Sequence, residues 1–217
     1  MREPENLRDV EMLDIDSIGF IFYDKSPRYV PENQEYIEAI SQCKKNKVGV
    51  FVNETLEKML YKGKLFQLNA LQLHGNETPE MCCLLRQNGY SVIKTFSITS
   101  IVNFQQPVTS ADDFQQPVDP FQQTERYRNC CDYFLFDTQC AGYGGSGNRF
   151  DWSLLDAYQG DTPFLLSGGL TPDCAADIKR LNHSQFAGID LNSGFELHPA
   201  VKDVCKLKQF IRNVRQD

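Results

Sequence analysis

The sequence lacks three features that would each indicate a different class of protein. No apolar run approaches the roughly 18 residues that a membrane-spanning helix needs. Positive charge is scarce, with 22 Lys and Arg against 29 Asp and Glu and a net charge of -7, so the chain repels nucleic acid and anionic lipid at long range. There are only three His, and none of the eight Cys lies in a CxxC pair. A zinc site is therefore not indicated.

The cysteines also bear on the compartment. Two pairs are adjacent in sequence, Cys82-Cys83 and Cys130-Cys131. The N-terminal segment is charged and has no apolar stretch typical of a secretory signal. We therefore expect free thiols and a cytoplasmic location, because disulfides persist mainly in oxidising compartments.

Short apolar runs alternate with amphipathic segments along the 217 residues. The predicted strands are Ser17-Phe22, Lys47-Val52, Leu68-Leu73, Val92-Phe96, Tyr133-Phe136, Phe164-Leu166 and Phe186-Leu191. The predicted helices are Pro4-Leu13, Glu32-Lys45, Glu54-Lys62, Thr78-Asn88, Trp152-Tyr158, Thr171-Leu181 and Val201-Val214. Thr78-Pro79 and Thr171-Pro172 each predict a helix start with a hydroxyl cap, and Asn88-Gly89 predicts a helix end. Regular alternation predicts an α/β fold with a parallel sheet. The length of the chain fits a single TIM-type (βα)8-barrel domain over 1-217. Seven of its strands are visible, and the first is expected before Met1.

One segment interrupts the alternation. FQQPV occurs at 104-108 and again at 114-118, and FQQ returns at Phe121. This is too short a repeat for a solenoid. We predict a repeat-bearing, flexible insertion over 98-123.

Three loops after predicted strands carry chemistry. Asp137 ends one strand and precedes a glycine-rich loop, and barrel enzymes keep catalytic groups at such strand ends. Gly168 and Gly169 lie between a strand and a helix start, where free N–H groups and the helix dipole favour an anion. Asp190 ends the last strand and is followed by Ser193 and Gly194. Small loops after both of the last two strands predict a phosphate site.

Two other residues follow earlier strands. Arg28, in a Pro turn after the first visible strand, can hold a carboxylate with a bidentate pair. His74 ends the third visible strand and is either an acid or base or a hydrogen-bonded structural residue.

These motifs together resemble the phosphoribosylanthranilate isomerase family of tryptophan biosynthesis. GFIFYDKSPRYV (19-30), LQLHGNE (71-77), LFDTQ with GGSG and FDW (135-152), LLSGGLTP (165-172) and IDLNSGFE (189-196) occur in the family's order, and the similarity covers the chain from about residue 2 outside the repeat. The resemblance implies an Amadori rearrangement of N-(5-phosphoribosyl)anthranilate, a small sugar-phosphate substrate, without metal or organic cofactor.

The resemblance also implies residue roles. Asp137 would be the general acid, Arg28 would bind the anthranilate carboxylate, and Asp190 would face the ribose hydroxyls. The phosphate would be held or bordered by the glycine-bearing loops, namely by Gly144, Gly145, Gly147, Gly168, Gly169, Ser193 and Gly194. Nothing in the sequence predicts the oligomeric state.

The chain departs from the family at one position. In the family, a first strand ends in Cys-Gly just before the segment that matches Met1-Arg2-Glu3-Pro4, and that Cys is the base. None of the eight Cys matches it, and Cys140 is a poor substitute. We therefore expect impaired activity of the chain as written, and a mis-assigned start or a truncation explains the absence.

Two alternatives remain open. One is a related barrel enzyme such as indole-3-glycerol phosphate synthase, which uses Lys and Glu at strand ends. Lys94 lies in a predicted strand, but the sequence indicates no partner for it. The other alternative is a non-catalytic barrel that binds a phosphate-bearing ligand.

Overall fold

The computed structural model describes residues 1–99, 121–139 and 152–215. Its strands are β1 (Ser17–Ile21), β2 (Asn46–Phe51), β3 (Ala70–Leu73), β4 (Ser91–Thr99), β5 (Tyr133–Gln139), β6 (Phe164–Ser167), β7 (Phe186–Ile189), β8 (Glu196–His198) and β9 (Val201–Lys202). Its α-helices are α1 (Pro4–Glu11), α2 (Gln34–Gln42), α3 (Leu56–Leu65), α4 (Pro79–Gln87), α5 (Ala175–Arg180) and α6 (Val204–Arg215). None of the helices in these ranges is long and apolar enough to cross a membrane.

Strands β1 to β7 form one parallel sheet in sequence order, curled into part of a barrel. The predicted seven parallel strands and the barrel class are thus confirmed. The most extended pairing joins β4 and β5, from Ile93 opposite Tyr133 to Thr99 opposite Gln139. Within the described part of the chain, β1 and β7 are the end strands of this sheet, and β1 makes one further bridge, from Ile21 to Tyr29. The eighth strand that the barrel class leads us to expect remains a prediction.

Alternation along the strands divides the apolar side chains between two faces of the sheet. In β5, Phe134 and Phe136 belong to the large cluster that lies between the sheet and its helices. Leu135 points to the other face and joins a small cluster with Val48, Ala70 and Ile93. The small cluster fills the concave side of the sheet, as expected for the interior of a barrel.

Three helices begin with a side-chain cap, and the cap predicted at Thr78 is among them. Asn33, Thr55 and Thr78 each accept a hydrogen bond from a backbone N–H in the first turn of the helix that follows. The predicted cap at Thr171 is wrong, because its side chain makes no capping bond and the segment opens as a short 3-10 helix before α5. Gly89 ends α4 with a φ of 87°, as the predicted stop requires.

Two predicted helices differ in the structure, and most of the predicted insertion lies outside the described residues. Residues 152–157 form a 3-10 helix and not the predicted α-helix, and Val201–Lys202 pair as strand β9 before α6 begins. Of the predicted insertion over 98-123, the structure describes only the end of β4 and residues 121–123 at the start of a 3-10 helix. The FQQPV repeats at 104-108 and 114-118 lie outside the described residues.

Candidate active site

The carboxyl ends of the parallel strands meet at one edge of the curled sheet, and Asp137 lies there. It belongs to β5 itself, opposite Ser97 of β4 and Ser167 of β6. The Ser167 hydroxyl donates to Asp137 Oδ1 at 3.1 Å. The Asp137 side chain keeps 18% of its surface exposed. The carboxyl group is therefore held in place yet can reach a ligand.

His74 stands beside this carboxyl group. Its Nε2 lies 3.9 Å from Asp137 Oδ2, and its Nδ1 is 3.3 Å from Gln72 Nε2. Gln72 is in turn bonded to the Thr95 hydroxyl on the next strand. The imidazole is thus oriented by a neighbouring strand, while 39% of its side chain is exposed.

The two glycine-bearing loops lie against each other. Gly168 and Gly169 have φ values of 89° and 62°, which glycine adopts without penalty. A Cβ on Gly168 would collide with Thr138 and Asp137, and one on Gly194 would collide with the Leu170 carbonyl. The loop after β6 therefore touches both the acid and the loop after β7. The predicted phosphate residues Gly168, Gly169, Ser193 and Gly194 are brought together.

Asp190 follows β7 at the same edge, and its N–H donates to the Leu166 carbonyl at 2.9 Å. The residue is exposed, although many protein atoms surround its carboxyl group. Surrounding protein reduces hydration there and raises the pKa of Asp190, and the negative charge of Asp137 raises this pKa further. Lys202 and His74 act in the opposite direction. The two predicted aspartates thus share one electrostatic environment.

Arg28 is engaged by a residue that the sequence did not indicate. Its Nε and Nη2 donate to Glu196, at 2.9 Å and 2.6 Å to Oε2. Lys202 Nζ lies 3.4 Å from the same carboxylate and also donates to Asn192. Burial would raise the pKa of Glu196, but Arg28 and Lys202 more than offset this and hold it below its ordinary value. Arg28 is therefore part of an ion-pair network with Glu196 and Lys202.

A second network fixes the loop that carries His74. Lys94 Nζ donates to the carbonyls of Leu73 and Gly75 and lies 3.3 Å from Glu77 Oε2. Lys94 and Glu77 side chains are only 3% and 2% exposed. Sequence reasoning found no partner for Lys94, because Glu77 lies in the loop after β3 and only folding joins them. The pair is enclosed, so it does not present a Lys and a Glu to a substrate.

Several predicted residues cannot be located. Gly144, Gly145, Gly147 and Cys140 lie outside the described residues. Within the ranges that the structure describes, no group of three or more His, Cys, Asp or Glu side chains could hold a metal ion.

A parallel barrel sheet with an accessible carboxyl group and two glycine-bearing loops after its last two strands defines a (βα)-barrel enzyme of the phosphate-binding class. Comparison with known proteins gives the particular family. The family model described as N-(5'phosphoribosyl)anthranilate (PRA) isomerase matches residues 2–213. The chain belongs to this family of isomerases of tryptophan biosynthesis.

Similarity to individual proteins of this family agrees with the match to the family model. The N-(5'-phosphoribosyl)anthranilate isomerase of Parabacteroides distasonis is 50% identical over 217 residues, covering 99% of this chain and 90% of the relative. The solved isomerase of Thermotoga maritima is 31% identical with a TM-score of 0.75, covering 99% and 95% of the two chains. A family structure in complex with reduced 1-(o-carboxyphenylamino)-1-deoxyribulose 5-phosphate has a TM-score of 0.72 at 28% identity, covering 98% and 94%.

Proposed function

We propose that this fold serves the family's Amadori rearrangement at the edge formed by β5, β6 and β7, with Asp137 as the general acid, and that full turnover needs the base of the expected Cys-Gly strand. The observation that carries this proposal is the position of Asp137. Its carboxyl group is partly exposed, receives the Ser167 hydroxyl, and borders the Gly168 turn. The candidate proton donor and the candidate phosphate loop thus belong to adjacent strands and touch each other.

The reaction uses these groups in order. Asp137 donates its proton to the ribose ring oxygen, the C1–O bond breaks, and the nitrogen lone pair forms the Schiff base. A base then removes the C2 proton, and the electron pair passes to nitrogen to give the enol amine, which becomes the ketone. The base is expected from the resemblance on a Cys-Gly strand preceding the residues that match Met1, and it remains a prediction.

The substrate is a small phosphosugar carrying an aromatic carboxylate, by analogy with the ligand of the related complex. Gly168, Gly169, Ser193 and Gly194 would hold the phosphate through backbone N–H groups. The predicted contributions of Gly144, Gly145 and Gly147 remain untested. These phosphate contacts fix one end of the substrate.

The other groups would hold the rest of the substrate. Asp190 would face the ribose hydroxyls. Arg28 would hold the carboxylate with its Nη1 edge, since Glu196 engages Nε and Nη2. We also propose a cytoplasmic location. We propose a single domain over 1-217 as well, and an apolar cluster whose members range from Met1 to Phe210 supports it.

The test compares the chain as given with a version extended at its N-terminus by a strand ending in Cys-Gly. We expect turnover of phosphoribosylanthranilate in the extended form, and loss of at least about a hundredfold on Asp137→Asn, the size of a general-acid contribution. Asp161→Asn is the matched control, because Asp161 is exposed and pairs with Arg128.

Retention of full activity in the extended Asp137→Asn protein would reject the acid assignment. If neither form turned over substrate while both bound a product analogue, the non-catalytic alternative would hold instead.

A further inference from the structure

Four cysteines that are far apart in sequence lie together on the outer side of the sheet. Cys82 and Cys83 are on α4, and Cys130 and Cys131 precede β5. The Cys83 and Cys130 sulfur atoms are 2.8 Å apart, across 47 residues of sequence. Cys82 and Cys131 lie close enough for each thiol to shift the pKa of the other. The two adjacent pairs noted in the sequence therefore face each other as an outer and an inner dithiol.

The surrounding contacts hold the outer pair together without a covalent bond. Arg86 of α4 donates to the Asn129 carbonyl at 2.6 Å and forms an ion pair with Asp132 at 3.1 Å. The Tyr127 hydroxyl donates to the Glu77 carbonyl just before α4. The segment that carries Cys130 is thus fastened to α4 on both sides of the thiol. Bringing the sulfur atoms within bonding range requires little movement.

Access distinguishes the two dithiols. Cys83 and Cys130 are half-buried, so a small molecule can reach them. Cys82 is fully buried and Cys131 is 6% exposed. The Cys131 contact and the positive charge of Lys94 lower the pKa of Cys82 against the effect of burial, but no reagent reaches this thiol while the chain is folded.

We propose that Cys83 and Cys130 form a modification site at which small-molecule disulfides oxidise the chain to an intramolecular disulfide. The inference is independent of the proposed isomerase activity. It rests on the sulfur contact, the accessibility of the outer pair and the ties between α4 and the segment around Cys130.

The chemistry is thiol–disulfide exchange. The Cys83 thiolate attacks one sulfur of the reagent, the reagent's S–S bond breaks, and one thiolate leaves. Cys130 then loses its proton and attacks the Cys83 sulfur, which expels the second thiolate and forms the protein disulfide. Two protein thiols are oxidised by two electrons in total, and the reagent becomes two thiols that carry the two protons.

Cys130 is the second thiol to react. Loss of hydration, together with the contact to Cys83, raises its pKa to about 11. It is therefore protonated at neutral pH, and thiols attack only as thiolates. Cys205 on α6 is exposed and serves as an internal control for a thiol that takes up the reagent as a mixed disulfide.

The experiment treats the folded full chain with oxidised glutathione, blocks the remaining thiols with an alkylating agent, and maps the peptides by mass spectrometry. We expect a cross-link between the peptide of Cys82-Cys83 and that of Cys130-Cys131. Cys82→Ala should retain the cross-link and Cys83→Ala should abolish it. Cys130→Ser should trap glutathione on Cys83.

Two outcomes would overturn the proposal. The first is glutathione on Cys205 of the unchanged chain without any cross-link between the two peptides. The second is a cross-link that persists in Cys83→Ala, which would assign the reaction to Cys82 and Cys131. Circular dichroism checks that each variant is folded, and the result for the unchanged chain decides the proposal even if a variant is not.

Discussion

Gly168 and Gly169 are neighbours in sequence and both have positive φ, but their surroundings differ. An alanine Cβ at 169 meets open space, whereas one at 168 meets Thr138 and Asp137. Gly169→Ala should therefore lower the unfolding free energy by about 1 kcal/mol, which is the strain of an alanine held at positive φ. Gly168→Ala should cost clearly more and also lower isomerase activity, because the acid must shift.

Urea unfolding and turnover assays on the two glycine variants make the comparison. Equal stability losses in both would contradict the close approach of the Gly168 turn to β5.

Glu196 lies almost buried between two cations, so replacing it leaves them facing each other. We expect Glu196→Gln to destabilise the chain by about 3 kcal/mol at neutral pH, the usual loss when one member of a buried ion pair is removed. Asp161→Asn is the control, since an exposed pair contributes less than about 1 kcal/mol.

The pH dependence gives a second check on Glu196. Its pKa in the folded chain is below the ordinary value of 4.5, so its contribution is present above that value and is lost as the pH falls through the folded pKa. The stability difference between the unchanged chain and Glu196→Gln should thus shrink below pH 4.5. A difference that stayed constant into strong acid would mean that the charge of Glu196 is not what stabilises the network.

At the level of elements, the sequence predicted the strands well, because strands buried on both faces appear as short apolar runs between helix signals. It placed Asp137 at a strand end, whereas β5 continues through Gln139. The 3-10 helix at 152–157 was not distinguishable from an α-helix, since both bury similar apolar positions over so short a span. Thr171-Pro172 carried the same start signal as Thr78-Pro79, but only the second is a capped α-helix.

The ion pairs of the site were beyond sequence reasoning. Glu196 follows Arg28 by 168 residues, and Lys94 joins a glutamate in another loop. No local pattern indicates a pairing that depends on how the sheet curls. Sequence motifs did indicate Asp137 and Gly168, because a carboxylate at a strand end and a double glycine before a helix start are local features of the sequence.

Lys94 and Glu77 connect strand β4 to the loop after β3, and this connection is testable. Lys94→Met should cost about 4 kcal/mol of unfolding free energy, because Glu77 would remain buried without its counter-charge. The double variant with Glu77→Gln should cost less than the sum of the two single variants. Lys58→Met, which removes only an exposed pair with Glu54, is the control.

Urea denaturation of the unchanged chain, the two single variants and the double variant gives the coupling free energy between Lys94 and Glu77. Strict additivity of the two single changes would show that the two side chains act separately.

On the scale of the whole molecule, an outer disulfide would act mainly on the unfolded chain. Closing the 47-residue separation between Cys83 and Cys130 restricts the unfolded state by about 4 kcal/mol. The oxidised chain should therefore unfold at a higher urea concentration than the reduced chain. Cys130→Ser should show no such increase after the same treatment. Equal urea midpoints of the oxidised and reduced unchanged chain would contradict the expected stabilisation.

The unequal pairing of the sheet gives the two aspartates of the site different mechanical surroundings. Asp137 lies on a strand with neighbours on both sides, whereas Asp190 follows β7, which among the described residues has a neighbour on one side only. Strands that are paired once open more often than strands that are paired twice. Amide protons near Asp137 should thus exchange slowly and those near Asp190 quickly. In the version extended by an N-terminal strand, β7 should gain a second neighbour as the barrel closes, so exchange near Asp190 should slow while exchange near Asp137 stays unchanged.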